Sequence, residues 1–549
     1  MAEDRFFIGE FKADFHVKSS EHCDNVLVPF LTVVKNKPEN LALWVDGVSL
    51  TYRELWKAAA RIASSLQAIT HDKKTQSIGI IADRSILSFV SIIASLAAGI
   101  PYVPIHPKYP DKRQLSILER ANCSILIADL ANAGVIEKLL PKIGDPTSIL
   151  WVDDGDSSES MEIPGWHKII RAKDTMEKQP IIKDSKIACL LFTYGSTGEP
   201  KGISIRHSNI VSYIKSVRKL YQPNDHDRFS QVFDQTFDLS LHDMFVAWSS
   251  GGSLFCVPDN ERHAPGRFIN RHSLTFWFST PSTIALMQSA KLLRANSFPT
   301  LRFSLFCGEP LSGELAEKWM MAAPNSELEN LYGPTETTIA ITRIRITADL
   351  LSKITSTVPI GLPFPGQIAG LCDPDDKFIK IKHGSHGELA LAGSQITEGY
   401  WRDDQSTQAK FITRPNEKEI NFARWYKTGD RVVFDKEHGF IFLGRLDDQV
   451  KIRGHRIEIS EIETVLRKVS KISTIAVVLK PQTHIGSATI IAFTGKTKFS
   501  EAELRKMCRQ FLPCYMIPQR IISIEKWPLN SSSKTDKKAL FELLKESIE

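Results

Sequence analysis

An α/β fold is predicted for most of this chain, on three observations. Helical patterns at Tyr52 to Leu66 and Ile86 to Ala98 alternate with short apolar runs at Ser77-Ile78-Gly79-Ile80-Ile81 and Ile125-Leu126-Ile127-Ala128. Such alternation argues for parallel strands covered by helices. The pattern then breaks near Asp447, where a strand-like run, Gly439-Phe440-Ile441-Phe442-Leu443-Gly444, gives way to a short basic segment. A helix follows, read as capped at Ser460 with Glu463 three residues on. A domain boundary is placed there, giving a large unit over 1–446 and a small one over 447–549.

Within the large unit, the longest apolar stretch, Ile86 to Ile100, is interrupted by Ser88, Ser91, Ser95 and Gly99 and is shorter than a bilayer span. It reads as a buried helix. Asp153 to Ser160 and Ala295 to Thr300 read as surface connections, and no repeat stands out. The run Ile187-Ala188-Cys189-Leu190-Leu191-Phe192 reads as a buried strand. It feeds the loop Thr193-Tyr194-Gly195-Ser196-Thr197-Gly198-Glu199-Pro200-Lys201-Gly202. Gly195 and Gly198 let backbone N–H groups approach an anion, Ser196 and Thr197 add hydroxyl donors, and Lys201 adds a mobile charge. The loop reads as a phosphate cradle. It is not a Walker loop, lacking a glycine just before the lysine and a hydroxyl residue just after it. Taken alone, such clusters are also plain turns.

Composition narrows the function classes. The 549 residues suffice for several domains, and 69 Lys plus Arg against 63 Asp plus Glu leave a net charge of +6. No segment has the dense basic clustering of a nucleic-acid binder. The eight cysteines form no C-x-x-C pair and sit mostly among apolar neighbours, as buried reduced thiols do. The start, Met1-Ala2-Glu3-Asp4-Arg5, has no apolar core after a basic segment, so no signal peptide is read. A cytoplasmic enzyme without a membrane or nucleic-acid partner is the expectation.

Downstream of the loop, in order, come Tyr332-Gly333-Pro334-Thr335-Glu336, Tyr426-Lys427-Thr428-Gly429-Asp430, the stretch Gly444-Arg445-Leu446-Asp447 through Lys451 and Gly454 to Glu458, and Lys534-Thr535-Asp536. With these motifs the chain resembles the adenylate-forming superfamily, which contains acyl-CoA synthetases, beetle luciferases and the adenylation domains of nonribosomal peptide synthetases. It is most similar to the last group. Leu50 to Leu55, Ala98 to Ile105, Gly387-Glu388-Leu389 and Leu512 to Pro518 extend the match over roughly residues 30 to 540.

The resemblance implies a large core, a small mobile α+β lid hinged at Asp447, and two half-reactions at one site. A carboxylate attacks the α-phosphorus of ATP, releasing pyrophosphate; a thiol then attacks the acyl carbon, releasing AMP. Positioning and charge neutralisation dominate such chemistry. Glu336 is implied as the Mg²⁺ ligand, assisted by Thr335. Tyr332 would stack on adenine opposite Gly308-Glu309-Pro310, with Asn330 meeting the exocyclic amine. Asp430 would accept the ribose hydroxyls, and Arg445 would approach the ribose and phosphates. Lys534 would bridge substrate carboxylate and nucleotide, gaining strength in the transition state. In the second half Lys451 to Gly454 would face the site, with Gly454 leaving room for a pantetheine arm. Without the motif series, Lys534 reads as solvated surface and Lys451 as part of an ordinary basic hairpin. Tyr194 and Ser533 depart from the family pattern and raise the alternative of a non-catalytic relative, against which stand Lys201, Glu336, Asp430, Lys451 and Lys534.

Amino-acid-activating members carry Phe-Asp-x-Ser, whose aspartate pairs with the substrate ammonium. Two candidates occur, Phe233-Asp234-Gln235-Thr236 and Phe237-Asp238-Leu239-Ser240, and only the second runs directly into Leu241-His242-Asp243-Met244-Phe245 as the family helix does. Asp238 is therefore chosen. Motif alignment gives Leu239, His242, Phe278, Leu305, Cys307, Leu331, Ile339 and Ala340 as the pocket wall, with Trp277 adjacent to the one register-ambiguous position. This apolar set is similar to that of free-standing L-proline:carrier-protein ligases, which makes L-proline the first expectation, then D-alanine or another small apolar amino acid. An acyl-CoA synthetase is the other enzyme reading, and Asp238 argues against it. No carrier motif is seen in the chain, so the thiol is expected from a separate phosphopantetheinyl carrier protein.

Overall fold

The computed structural model describes residues 7–8, 25–70, 77–128, 130–143, 148–151, 169–171, 186–193, 200–354, 357–413, 424–447, 449–481, 488–528 and 535–546. Gly195, Ser196, Thr197, Gly198 and Lys534, the departures Tyr194 and Ser533, and the connection at 153–160 lie outside these residues.

Local signals set the early helices. Thr51 and Glu54 form a reciprocal capping box, the hydroxyl accepting the Glu54 N–H while the carboxylate accepts the Thr51 N–H, and the helix runs Tyr52–Ile69. The next helix, Ile86–Ala98, starts at a Ser85 cap and stops at Gly99, whose φ of 72° is left-handed. Residues 88–98 are buried all round, because this helix is clamped between the preceding helix and the strands Ser77–Ile81 and Tyr102–Ile105.

Two helix-covered sheets form the body. The first orders Lys201–Arg206, Ile187–Thr193, Tyr102–Ile105, Ser77–Ile81, Cys123–Ala128, Ser148–Trp151 and Ile169–Arg171, parallel apart from the first hairpin. The second has nine strands, with a parallel centre running from Glu327–Tyr332 through Phe303–Phe306, Phe276–Ser279, Arg228–Gln231 and Ser253–Cys256 to Leu41–Val45. The largest apolar cluster lies between these two sheets.

A third, antiparallel sheet departs from the helix-covered expectation. It is built from Phe7–Ile8, Gln367–Cys372, His386–Gly393, Arg424–Asp435, Phe411–Thr413, Phe378–Ile379 and Gly439–Arg445. All its pairings are antiparallel, and a hairpin joins Arg424–Asp435 to Gly439–Arg445 without a crossover helix.

The last large-domain strand ends at Arg445 and the next begins at Gln449. The small domain has the hairpin Gln449–Ile452/His455–Glu458 and a three-stranded sheet, with one apolar cluster under helices Ile459–Ser470 and Glu501–Cys508 and a second under helix Lys537–Glu546. Ser460 is not the cap that the sequence suggested. The helix begins two residues earlier than that cap implies, at Ile459, with Glu458 at the cap position and no side-chain cap bond. Burial of Ile457, Ile459 and Ile462 sets where the chain turns from strand to helix, while Glu463 accepts the N–H of Val477 in the neighbouring strand.

Candidate active site

Loops leaving the carboxyl ends of three parallel strands, Phe276–Ser279, Phe303–Phe306 and Glu327–Tyr332, converge under the small domain, the usual place for a ligand on such a sheet. A cleft of about 730 Å³ opens there, with Gly308, Pro310, Tyr332 and Asp430 on the large-domain side and Lys451 and Val478 on the other. The hydroxyl of Tyr332 donates to Asp430. Arg445 donates through Nη1 to Asp430 Oδ1 at 2.6 Å and to the Thr428 carbonyl at 3.0 Å. Its other edge grips Asp447 through two bonds of 2.7 Å, so one guanidinium joins the cleft carboxylate to the interdomain link. The Asn330 amide donates to the carbonyls of Val358 and Pro359, which leaves its own oxygen as the acceptor beside the cleft.

The hairpin of the small domain is seated in this cleft. Gly454 donates its N–H to Glu309 Oε1 at 2.9 Å, and the Lys451 ammonium lies 5.7 Å from the centre of the Tyr332 ring. His455 stacks on Tyr515 at 3.7 Å and meets the edge of Phe237. Thr193 and Lys201 pair as the two ends of the hairpin that frames the glycine-rich loop, and Lys201 donates to Ser406 Oγ at 2.9 Å.

Glu336 is almost fully buried and carries one bond from the Tyr400 hydroxyl at 2.7 Å and two from Arg456 Nη1 at 2.9 and 3.1 Å. Burial alone would raise its carboxyl, but Arg456 and Tyr400 outweigh that and hold it below the ordinary range. A buried carboxylate of this kind requires a cation. Arg456 supplies it while the hairpin is seated; with the hairpin elsewhere, a hard, oxygen-seeking divalent ion fits the same donor. Sequence reasoning did not assign Arg456, although it lies in the hairpin motif, because the pairing bridges 120 residues and two domains.

Beside the cleft a smaller cavity of about 60 Å³ reaches Asp238, Leu239, Cys307 and Thr335. Asp238 is 7% exposed, and no ion pair reaches it among the described residues. Burial pushes its carboxyl up to about 6, against the pull of the Ile339 N–H, which donates to it at 3.1 Å. Asp234, the rejected alternative, instead faces His106 at 3.2 Å in a polar cluster with Asp83.

Of the predicted wall residues Leu239 and Cys307 line this smaller cavity, and Phe278, Leu305, Leu331, Ile339 and Ala340 are buried in the large apolar cluster that also holds those two. Strand alternation resolves the one ambiguous register. The Phe278 side chain meets His242 at 4.6 Å, whereas Trp277 points to the opposite face and stacks on Trp319. His242 shares a hydrogen bond of 2.8 Å with the Tyr213 hydroxyl, and burial lowers its pKa to about 3, so it is a neutral wall. A third cavity of about 350 Å³, between Thr280 and Phe237 on one side and Arg453, His455 and Tyr515 on the other, leads from the surface toward Gly454.

Residues 30–401 match the AMP-binding enzyme family and residues 461–534 match the AMP-binding enzyme C-terminal domain. The chain is 30% identical over 512 residues to an L-proline--[L-prolyl-carrier protein] ligase of Streptomyces coelicolor, covering 90% of this chain and 92% of that one. It is 28% identical over 523 residues to a D-alanine--D-alanyl carrier protein ligase of Bacillus velezensis, covering 93% and 98%. Tyrocidine synthase 1 of Brevibacillus parabrevis is 29% identical over 507 residues, covering 92% of this chain, which spans only 43% of that protein's length. Among solved structures, the Vibrio cholerae adenylation domain AlmE in complex with glycyl-adenosine-5'-phosphate superposes with a TM-score of 0.84 at 31% identity, covering 95% of this chain and 98% of that one. No helix among the described residues is long and apolar enough to cross a membrane.

Proposed function

The chain belongs to the AMP-binding enzyme family, and from that premise we propose that it activates a small amino acid with ATP and passes the aminoacyl group to the thiol of a separate phosphopantetheinyl carrier protein. The observation that carries this reading is Asp238, a buried carboxylate without an ion-pair partner among the described residues, at the edge of a small apolar pocket that opens on the nucleotide-sized cleft. A substrate ammonium supplies the missing cation.

In this reading the substrate carboxylate attacks the α-phosphorus, its oxygen forming the new P–O bond as the bond to pyrophosphate breaks. Tyr332 and Gly308 to Pro310 enclose adenine, Asn330 meets its amine, and Asp430 accepts the ribose hydroxyls beside Arg445. Thr193, the loop from Gly195 to Gly198, and Lys201 hold the phosphates. Glu336, aided by Thr335, holds Mg²⁺, which neutralises phosphate charge. Lys534 bridges carboxylate and nucleotide. Residues 447–549 then turn about Asp447 on the body of residues 1–446, and Lys451 and Gly454 flank the thiol as it displaces AMP from the acyl carbon. The seated hairpin supports this second stage, and the passage beside Gly454 would suit entry of a pantetheine arm. We read the reaction as cytoplasmic, where ATP and a separate carrier would both be at hand.

The pocket volume and the aromatic packing of Phe278 against His242 support a compact substrate side chain. L-proline is the first choice, with D-alanine and glycine next, as the named relatives and the glycyl-adenylate structure suggest. The test is amino-acid-dependent ATP–pyrophosphate exchange across common L-amino acids, D-alanine and glycine, with fatty and aryl acids as controls. Exchange with a small amino acid is expected, and transfer to a holo-carrier protein rather than to coenzyme A. Silence with every amino acid overturns the reading.

A further inference from the structure

The pocket rests on a strained turn. Thr338 and Ile339 have φ of 59° and 71°, a left-handed conformation that is costly for any side chain and most of all for a β-branched one. That conformation aims the Ile339 N–H at Asp238 Oδ2. Strain of this kind persists only where the surroundings over-determine it.

Here the surroundings converge on one side chain. Gln395, fully buried, turns its Nε2 toward the carbonyls of Thr337, Thr338 and Ala340, at 3.3, 3.1 and 2.7 Å. All three are acceptors, so the amide orientation is fixed. In return the Thr338 hydroxyl donates to the Gln395 carbonyl at 2.7 Å, and the Gln395 N–H reaches Gln367 Oε1. The segment carrying Gln395 is itself held, since Asn209 donates to the carbonyls of Ser394 and Ile396 and the Thr397 N–H reaches the Glu336 carbonyl. The turn therefore cannot relax without leaving buried carbonyls unpaired.

We propose that Gln395 is a positioning residue for amino-acid binding, holding the 337–340 turn so that the Ile339 N–H orients Asp238 and the Ile339 and Ala340 side chains shape the pocket. The inference deepens the function proposed above and rests on Asp238 as the ammonium partner. Its test is Gln395→Met, which keeps the volume and removes the donors, compared with the wild type in amino-acid-dependent exchange. The expected result is an amino-acid KM raised on the order of tenfold, the loss typical of a hydrogen bond to a charged group, with the ATP KM changed less than about twofold. Adding Thr338→Gly is expected to recover part of the loss, because glycine holds the left-handed conformation without a brace. Should Gln395→Met not fold, the isosteric Gln395→Glu serves the same comparison. An unchanged amino-acid KM in a folded variant, or amino-acid and ATP KM values rising together, overturns the inference. Asp238→Asn separates the two readings: if it destroys amino-acid dependence while Gln395→Met does not alter it, only the role of Gln395 fails.

Discussion

In the proposed function Asp238 is the residue that takes the substrate ammonium, and its burial makes a pH signature. Its folded-state value of about 6 lies above the ordinary carboxylate range, and only the ionised form binds an ammonium. The kcat/KM for the amino acid is therefore expected to be flat above about pH 6 and to fall roughly tenfold per unit below it; a profile flat to pH 4.5 would contradict this. Asp238→Asn is expected to lower kcat/KM for the amino acid at least about 100-fold, with ATP binding kept, as measured by exchange and nucleotide titration. Phe278→Ala is expected to admit larger apolar amino acids and to cost about 3–5 kcal/mol of stability, read by denaturant unfolding. The helix that starts directly after Asp238 was legible in the sequence, whereas the same spacing after Asp234 leads into a turn. Gln395 was not legible. Its meaning depends on a turn 55 to 58 residues away and on the backbone conformation that the turn adopts.

Elements with strong local punctuation could be read closely. Ile86–Ala98 has a serine cap and a left-handed glycine stop, and its observed limits coincide with the expected ones. The start of Ile459–Ser470 was misplaced because packing of its isoleucines overrode a plausible cap. Of the antiparallel sheet from Gln367 to Arg445 only the strand at Gly439–Arg445 was read, since only pairing across the sheet distinguishes its strands from helix-covered ones. At this scale the hairpin makes the clearest forecast. Gly454 has φ of 78°, and a Cβ there would lie 2.6 Å from Thr280 Cγ2. Gly454→Ala is expected to slow transfer to the carrier more than about tenfold while pyrophosphate exchange continues. Lys451→Ala is expected to act in the same sense, and Lys534→Ala in the opposite one, abolishing exchange. Single-turnover measurement of each half-reaction checks all three.

The whole molecule is two bodies with separate cores, joined through a short link and a polar contact surface that includes Arg456 with Glu336, Gly454 with Glu309, and Arg113 with Glu461 at 4.0 Å. Separate cores and polar contacts predict two unfolding transitions by calorimetry, with ATP, Mg²⁺ and the amino acid raising chiefly that of the larger body. A single transition shifted as a unit would contradict this. The break in pattern between Arg445 and Gln449 coincides with the end of one strand and the start of the next; the seating of one body on the other was not legible, since it depends on contacts between distant segments. The cleft beneath that seating is roofed by Val477, Val478, Leu479 and Phe541 of the smaller body. In the proposed function a nucleotide bound below this apolar roof would be partly covered while the hairpin is docked. On that reading pyrophosphate would leave before the roof settles, the loaded carrier would withdraw along its own passage, and AMP would go last. The enzyme would thus finish each cycle still holding its spent nucleotide, and the rate at which the roof lifts would govern how soon the next ATP can enter.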